Sequence, residues 1–172
     1  DNFEQLLINQ GYDDVLDNYV TRTNVSSLTT YSFSYGNNPS TSVNNINDLT
    51  GLEDFISLNS LEIRGTFSSF TLPLTLSSLN YLGVSWSSNL SSINLNSQSL
   101  ENLSFSGGIT SLTSVDLSNL PNLKIFFNSY TSIPSGITSL DFSNNPKMLS
   151  ISSHHSNISS INIDNCTELN AL

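Results

Sequence analysis

Residues 79-LNYLGVSWSSNLSSINLNSQS-99 contain two short apolar segments with the same spacing, one directly after the other. Both segments follow the pattern L-x-x-L-x-L, carried first by Leu79, Leu82 and Val84 and then by Leu90, Ile93 and Leu95. Apolar and polar residues alternate within each segment, which predicts a strand with one buried face. A unit of this size cannot bury that face alone, so it must stack on further copies of itself.

The same spacing recurs along most of the chain at intervals of 21 to 25 residues, which indicates a repeat protein. Copies of the first segment begin at Leu58, Leu79, Leu100, Leu123, Met148 and Leu169. An earlier copy begins at Leu28, and an insertion at about 36–45 separates it from the next. We expect first-segment strands near Leu61, Leu82, Leu103, Phe126 and Ile151. We expect second-segment strands near Ile93, Val115, Leu140 and Ile161.

These strands predict a right-handed, β-dominated solenoid with two parallel β ladders and little helix. Asn128 and Ser153 stand where two of the turns should place an apolar residue, so we expect the later turns to be looser or wetter. Asparagine recurs at the bends, where its side chain can satisfy backbone groups of the loops. The bend residues are Asn89, Asn119, Asn144 and Asn157.

The two ends of the chain differ in how they are expected to close the solenoid. Phe3, Leu6 and Leu7 recur at helical spacing and Gly11 follows, so we predict a short helical N-terminal cap. We assign residues 1–27 to this cap and residues 28–172 to the solenoid. The last repeat, which begins at Leu169, is incomplete, so we expect either that the natural chain continues or that the exposed C-terminal end self-associates.

The repeats resemble the leucine-rich repeats, specifically the short, nested 21-residue type found in bacterial secreted and cell-surface proteins. The resemblance covers roughly residues 24 to 172. The segments 3-FEQLLINQGYDD-14 and 48-DLTGLEDF-55 resemble the cap and the lead-in of such proteins. The resemblance implies a non-enzymatic binding module that is secreted or on the cell surface.

Composition and charge exclude several other classes of function. The formal net charge of −10 argues against nucleic acid and anionic lipid as partners, because both require a basic surface. No apolar run is long enough to insert into a membrane. The single cysteine, Cys166, allows neither an internal disulfide nor a cysteine-based metal site.

Three clusters of ionisable residues are candidates for chemical sites. Val15 and Leu16 interrupt the acids at positions 13, 14 and 17, so a solvated cap surface is favoured over a calcium loop. The adjacent His154 and His155 should point to opposite faces of a strand, and no nucleophile motif accompanies them. Asp116 and Asp141 should be ladder neighbours, and we favour a hydrogen-bonding row over paired-carboxylate catalysis. We therefore expect no catalytic residue, metal or cofactor.

The two ladders differ in the variety of their outward residues. The second ladder is monotonous in Asn, Asp and Ser, which suggests a structural role. The first ladder is diverse and contains the residue types common at interfaces. We predict ligand binding by Arg64, Trp86, Tyr130, His154 and His155, with Trp86 and Tyr130 flanking a shallow slot over Gly107.

The predicted function is recognition of a protein or a glycan through the first ladder. A structural or adhesive spacer without a specific ligand is the alternative, because a solenoid can also serve only to set distance. Binding to ice or crystal surfaces is a further alternative, although the regular T-x-T row that it would need does not occur.

Overall fold

The computed structural model describes residues 2–33, 46–129 and 135–172, so the insertion predicted at about 36–45 lies outside the described residues. The helices are α1 (Asn2–Asn9) and α2 (Arg22–Val25), with a short 3₁₀ turn at Leu52–Asp54. The strands are β1 (Thr30–Ser32), β2 (Ser60–Arg64), β3 (Ser69–Thr71), β4 (Tyr81–Ser85), β5 (Ser92–Asn94), β6 (Asn102–Ser106), β7 (Ile125–Ser129), β8 (Ser139–Asp141), β9 (Ser150–His154) and β10 (Ser160–Asn162).

The first segments form one parallel sheet in the order β1-β2-β4-β6-β7-β9, which we call the main sheet. Equivalent residues of successive repeats lie side by side in its register, in the row Leu61, Leu82, Leu103, Phe126 and Ile151. Every strand predicted for the first segment is therefore confirmed. A parallel ladder with one strand per turn is the defining feature of a β-dominated solenoid, so the predicted fold class is confirmed as well.

The second segments form two separate pairs of parallel strands, β3 with β5 and β8 with β10. The strand predicted at Val115 is wrong, because residues 112–117 have no regular secondary structure. This segment lies in a repeat of 23 residues, and the repeat that follows has 25, whereas the two preceding repeats have 21. The extra residues disturb the register that a ladder needs. β3, centred on Phe70, was not predicted, although Phe67, Phe70 and Leu72 have the repeat spacing.

The inward side chains of both sets of strands pack into one continuous hydrophobic core. Asn128, one of the two residues on which the expectation of looser or wetter later turns depends, is 0% exposed. Its Nδ2 donates hydrogen bonds to the Oγ of Ser135 at 3.2 Å and to the Oγ of Ser153 at 3.3 Å. These bonds pair the amide nitrogen of Asn128, whereas its buried amide oxygen has no hydrogen-bond partner among the described residues. The missing apolar contact is therefore replaced only in part.

Helix α1 covers the first turn of the solenoid. Phe3 is fully buried, and its ring stacks on Phe33 with centroids 5.3 Å apart. The hydroxyl of Tyr31 donates a 2.7 Å hydrogen bond to Oε1 of Gln10. Gly11 follows the helix at φ 79°, a conformation that glycine adopts without steric cost. The helix predicted from the apolar spacing is therefore present and packs against the core.

Asparagine side chains link neighbouring turns at the bends. Nδ2 of Asn89 donates to the carbonyl of Thr66 at 3.4 Å, and Nδ2 of Asn157 donates to that of Ser135 at 3.3 Å, as predicted. In the repeat where we expected Asn144, the adjacent Asn145 has this role. Its buried Nδ2 donates to two main-chain carbonyls, those of residues 117 and 120, at 2.9 and 2.8 Å.

The last repeat pairs with β9, since the N–H of Ile151 donates to the carbonyl of Ala171 at 3.0 Å. Leu169 packs partly against the core, whereas Ile161, Ile163 and Leu172 are exposed. The self-association expected at this end stays a prediction.

Candidate ligand-binding site

The outward face of the main sheet presents three rows of side chains, because alternate residues of each strand point away from the core. The first row is Ser60, Tyr81, Asn102, Ile125 and Ser150; the second is Glu62, Gly83, Ser104, Phe127 and Ser152; the third is Arg64, Ser85, Ser106, Ser129 and His154. Serine predominates, and the residues that differ from it are concentrated on β2, β4 and β7. These strands therefore carry the distinctive features of the face.

Trp86, which directly follows β4, is the most prominent of these features. Its side chain is 58% exposed, and its backbone lies in the left-handed region at φ 50°. Its N–H nevertheless continues the ladder, donating to the carbonyl of Ser106 at 3.1 Å. A bulky residue rarely adopts this conformation, and such strain concentrates at functional sites.

The indole of Trp86 is held in place by its neighbours on both adjacent turns. The guanidinium carbon of Arg64 lies 5.5 Å from the centroid of the indole ring, within the range of a cation–π interaction. On the following turn the indole covers Gly107, where an added Cβ would lie only 2.6 Å from the nearest atom of the Trp86 ring. The aromatic surface is thus fixed before any ligand arrives.

Tyr81 forms a second fixed aromatic surface at the opposite end of β4. Its hydroxyl donates a 3.2 Å hydrogen bond to Oε1 of Glu62 and lies over Gly83, where a Cβ would be 2.9 Å from it. Ser32 donates to Oε2 of Glu62 at 3.4 Å. Burial, followed by the nearby Glu62 carboxylate, raises the pKa of Tyr81. The phenol therefore stays neutral and acts as a hydrogen-bond donor.

An apolar depression of about 310 Å³ adjoins Tyr81 and is bordered by Ile125 and Phe127 of β7. These two residues are 43% and 39% exposed, respectively. Tyr81, Ile125 and Phe127 were not predicted as site residues, because the outward residues that stood out in the sequence lie at or just after the strand ends. The run 125-IFF-127 was an available signal, since alternation forces at least one of three consecutive apolar residues outward.

The structure brings together two of the five predicted site residues, Arg64 and Trp86. His154 is exposed at the end of β9, three strands from β4 and therefore about 14 Å away across the sheet. His155 is also exposed, at φ 51°. Tyr130 lies outside the described residues. The predicted open slot over Gly107 is wrong, because the Trp86 indole fills that space.

The expected ladder pairing of Asp116 with Asp141 does not occur, because residue 116 lies in no strand and Asp141 pairs with Asn162 of β10. Both acids have local structural roles. Oδ1 of Asp116 accepts a hydrogen bond from the N–H of Ser118 at 2.9 Å, and Oδ1 of Asp141 accepts one from the N–H of Ser143 at 2.9 Å. Asn162 makes the equivalent bond with its amide oxygen. The side-chain and main-chain donors of Ser118 lower the pKa of Asp116, and those of Ser143 lower the pKa of Asp141.

Two further features are absent from residues 2–33, 46–129 and 135–172. No group of three or more His, Cys, Asp or Glu in these ranges is placed to hold a metal ion. No helix in the same ranges is long and apolar enough to cross a membrane.

The family model described as the leucine-rich-repeat domain of the endo-β-N-acetylglucosaminidase EndoS matches residues 13–120, well over half of the chain. The chain belongs to this family. The leucine-rich-repeat assignment made from the sequence is thereby confirmed. Comparisons with curated proteins and with solved structures find no match. The part matched to the EndoS repeat domain contains Arg64, Tyr81 and Trp86 and ends before β7.

Proposed function

We propose that this leucine-rich-repeat domain is a non-enzymatic binding module of a secreted or cell-surface protein. It recognises a protein or a glycan through the outward face of the main sheet, with Arg64 and Trp86 at the centre of the contact. His154 and His155 remain proposed contacts further along the same face, and Tyr130, which lies outside the described residues, remains a proposed contact.

The observation that carries this proposal is the environment of Trp86. Exposing a large indole and holding its backbone at φ 50° are both unfavourable in the free protein. Tryptophan and arginine are also the residues most often found at the energetic centre of interfaces. A ligand that covers the indole would remove its apolar surface from water, and the ring loses little freedom on binding because Arg64 already orients it.

A non-enzymatic role is supported by how the candidate acids are used. Asp116 and Asp141, the acids considered for paired-carboxylate catalysis, accept hydrogen bonds from their own turns. Their lowered pKa values keep both ionised at neutral pH, so neither is a general acid there. The family is named for a repeat domain within an endo-β-N-acetylglucosaminidase. This supports a role in which the repeat domain binds while catalysis belongs to another domain.

The test is a screen on two arrays, one of defined glycans and one of purified extracellular proteins. We expect at least one ligand whose affinity falls tenfold or more in Trp86→Ala. Tyr19→Ala is the matched control, because Tyr19 is an aromatic residue of the cap that is 78% exposed and lies outside the strands of the main sheet. Thermal melting of each variant separates loss of contact from loss of fold.

If the stably folded domain binds nothing on either array, the binding function is overturned and the structural or adhesive spacer is favoured. A ligand that Trp86→Ala binds as well as the parent does would overturn the assignment of the surface.

A further inference from the structure

Strand β4 carries a fixed aromatic surface at each end. Tyr81 is its first residue, and Trp86 directly follows its last. Five residue steps separate them, so their Cα atoms are about 16 Å apart in an extended strand. The Tyr81 ring reaches along the strand over Gly83, which brings the two aromatic surfaces closer together.

The surface between these aromatics is low and polar. Gly83 and Ser85 are the outward residues of β4 between them, and Ser104 and Ser106 are their partners on β6. On the β2 side a shallow depression of about 210 Å³ is bordered by Glu62, Arg64 and Trp86. An extended ligand can therefore lie along β4 without meeting a large side chain between its ends.

The charge of this face indicates the class of ligand. The strands of the main sheet contain one acidic residue, Glu62, and one basic residue, Arg64, so their formal charges cancel. The chain as a whole has a net charge of −10, all of which lies outside these strands. A polyanion is repelled by the domain, and a cationic partner is attracted to other surfaces. The face itself is complementary to an uncharged ligand.

We propose that the surface along β4 binds a neutral oligosaccharide, with one sugar ring on Tyr81 and another on Trp86. This inference rests on the binding function proposed above and specifies its ligand. A pyranose ring has an apolar C–H face, which packs on an aromatic ring, and a rim of hydroxyl groups. Glu62 and the serine hydroxyls between the two aromatics are suited to hydrogen bonding with that rim.

Two separated aromatic surfaces also predict a dependence on ligand length. A single sugar can occupy only one of them, whereas a longer chain can reach both. Once the first ring is bound, the second binds as an intramolecular event, so affinity rises steeply with the number of sugars.

The experiment uses an array of neutral, carboxylated and sulfated oligosaccharides, followed by titration of the best neutral ligand with tryptophan fluorescence. Trp86 is the one tryptophan in the chain, so the signal reports directly on the proposed site. Tyr81→Ala and Trp86→Ala should each weaken binding at least tenfold, with calorimetry replacing fluorescence for the latter. Tyr81→Phe keeps the ring and should change affinity less than threefold, and Tyr19→Ala should leave it unchanged.

Binding of the neutral ligand should be nearly independent of salt, because no net charge is paired across the contact. Binding restricted to carboxylated or sulfated glycans, or lost at high salt, would overturn the inference. Equal affinity for a monosaccharide and its oligosaccharide would overturn the two-ring arrangement. If Tyr81→Ala lowers the melting temperature, its effect on binding cannot be separated from its effect on the fold, and Tyr81→Phe becomes the deciding variant. Because this variant retains the ring, a tenfold loss of affinity in it would count against stacking on Tyr81. A third outcome is that no glycan on the array binds, whereas a purified protein binds and loses affinity in Trp86→Ala. This result would support the general binding function and refute the proposal that the ligand is an oligosaccharide.

Discussion

Replacing Leu103 by alanine tests whether the stacked turns share one core. Leu103 is 1% exposed in β6, with Leu82 beside it on β4 and Phe126 beside it on β7. The substitution removes every side-chain carbon beyond Cβ and leaves a cavity between the two neighbouring turns. Core substitutions of this kind lower the free energy of unfolding by about 2–5 kcal/mol.

The position of Leu103 argues for the upper part of that range. The backbones on both sides are hydrogen-bonded into the parallel ladder, so the neighbouring turns cannot move together to close the cavity. We therefore expect a loss of about 3–5 kcal/mol. For a chain of this length that corresponds to a fall in the melting temperature of about 6–20 °C.

The measurement is thermal and urea unfolding followed by far-UV circular dichroism. Ser106→Ala is the matched control, because Ser106 lies on the same strand and faces outward, and a surface change of this kind alters stability by no more than about 0.5 kcal/mol. If Leu103→Ala melts within error of Ser106→Ala, Leu103 does not face the core and the register of the main sheet is wrong.

Three further predictions concern single interactions. Gly107→Ala and Gly108→Ala both place alanine at a positive φ, so both should destabilise, and Gly107→Ala should do so more because its Cβ would also meet the indole of Trp86. Only Gly107→Ala should shift the fluorescence of Trp86, and an equal shift in both variants would contradict this packing. Since hydrogen bonds hold the pKa of Asp116 and Asp141 below the ordinary 3.8, their stabilising contribution is present above that value and is lost as the pH falls through the lowered pKa. The double Asn variant should therefore lose less stability than the parent between about pH 5 and pH 2 in melting experiments; an identical loss would refute the assignment. Asn145→Ala leaves two main-chain carbonyls without their buried donor. It should therefore lower the free energy of unfolding, measured by urea titration, by about 1–3 kcal/mol. A change as small as that of a surface substitution would show that water replaces the amide.

The sequence alone determined the repeating core. Alternation along one strand is a local property, and a strand with one apolar face has few ways to bury it other than stacking on its copies. The centres of five main-sheet strands, predicted near Leu61, Leu82, Leu103, Phe126 and Ile151, were therefore placed to within one residue. The helical cap followed from the spacing of Phe3, Leu6 and Leu7 for the same reason.

The second ladder marks the limit of this local argument. Val115 has the same alternating pattern as Ile93 and Leu140, yet it is not in a strand. A strand exists only where a neighbouring turn presents its backbone in register, and repeats of 23 and 25 residues alter that register. Asn128 shows the complementary case, since a polar residue is buried where its amide nitrogen bonds to Ser135 of its own repeat and to Ser153 of the next.

The candidate site was decided almost entirely by the tertiary structure. Outward residues have no packing requirement that fixes their identity, so periodicity does not rank them. The flat placement of Trp86 depends on Arg64 one turn before it and on Gly107 one turn after it. The role of Tyr81 likewise depends on Glu62, a residue of the preceding turn. Such relations join residues about one repeat apart, so they arise only when the turns are stacked.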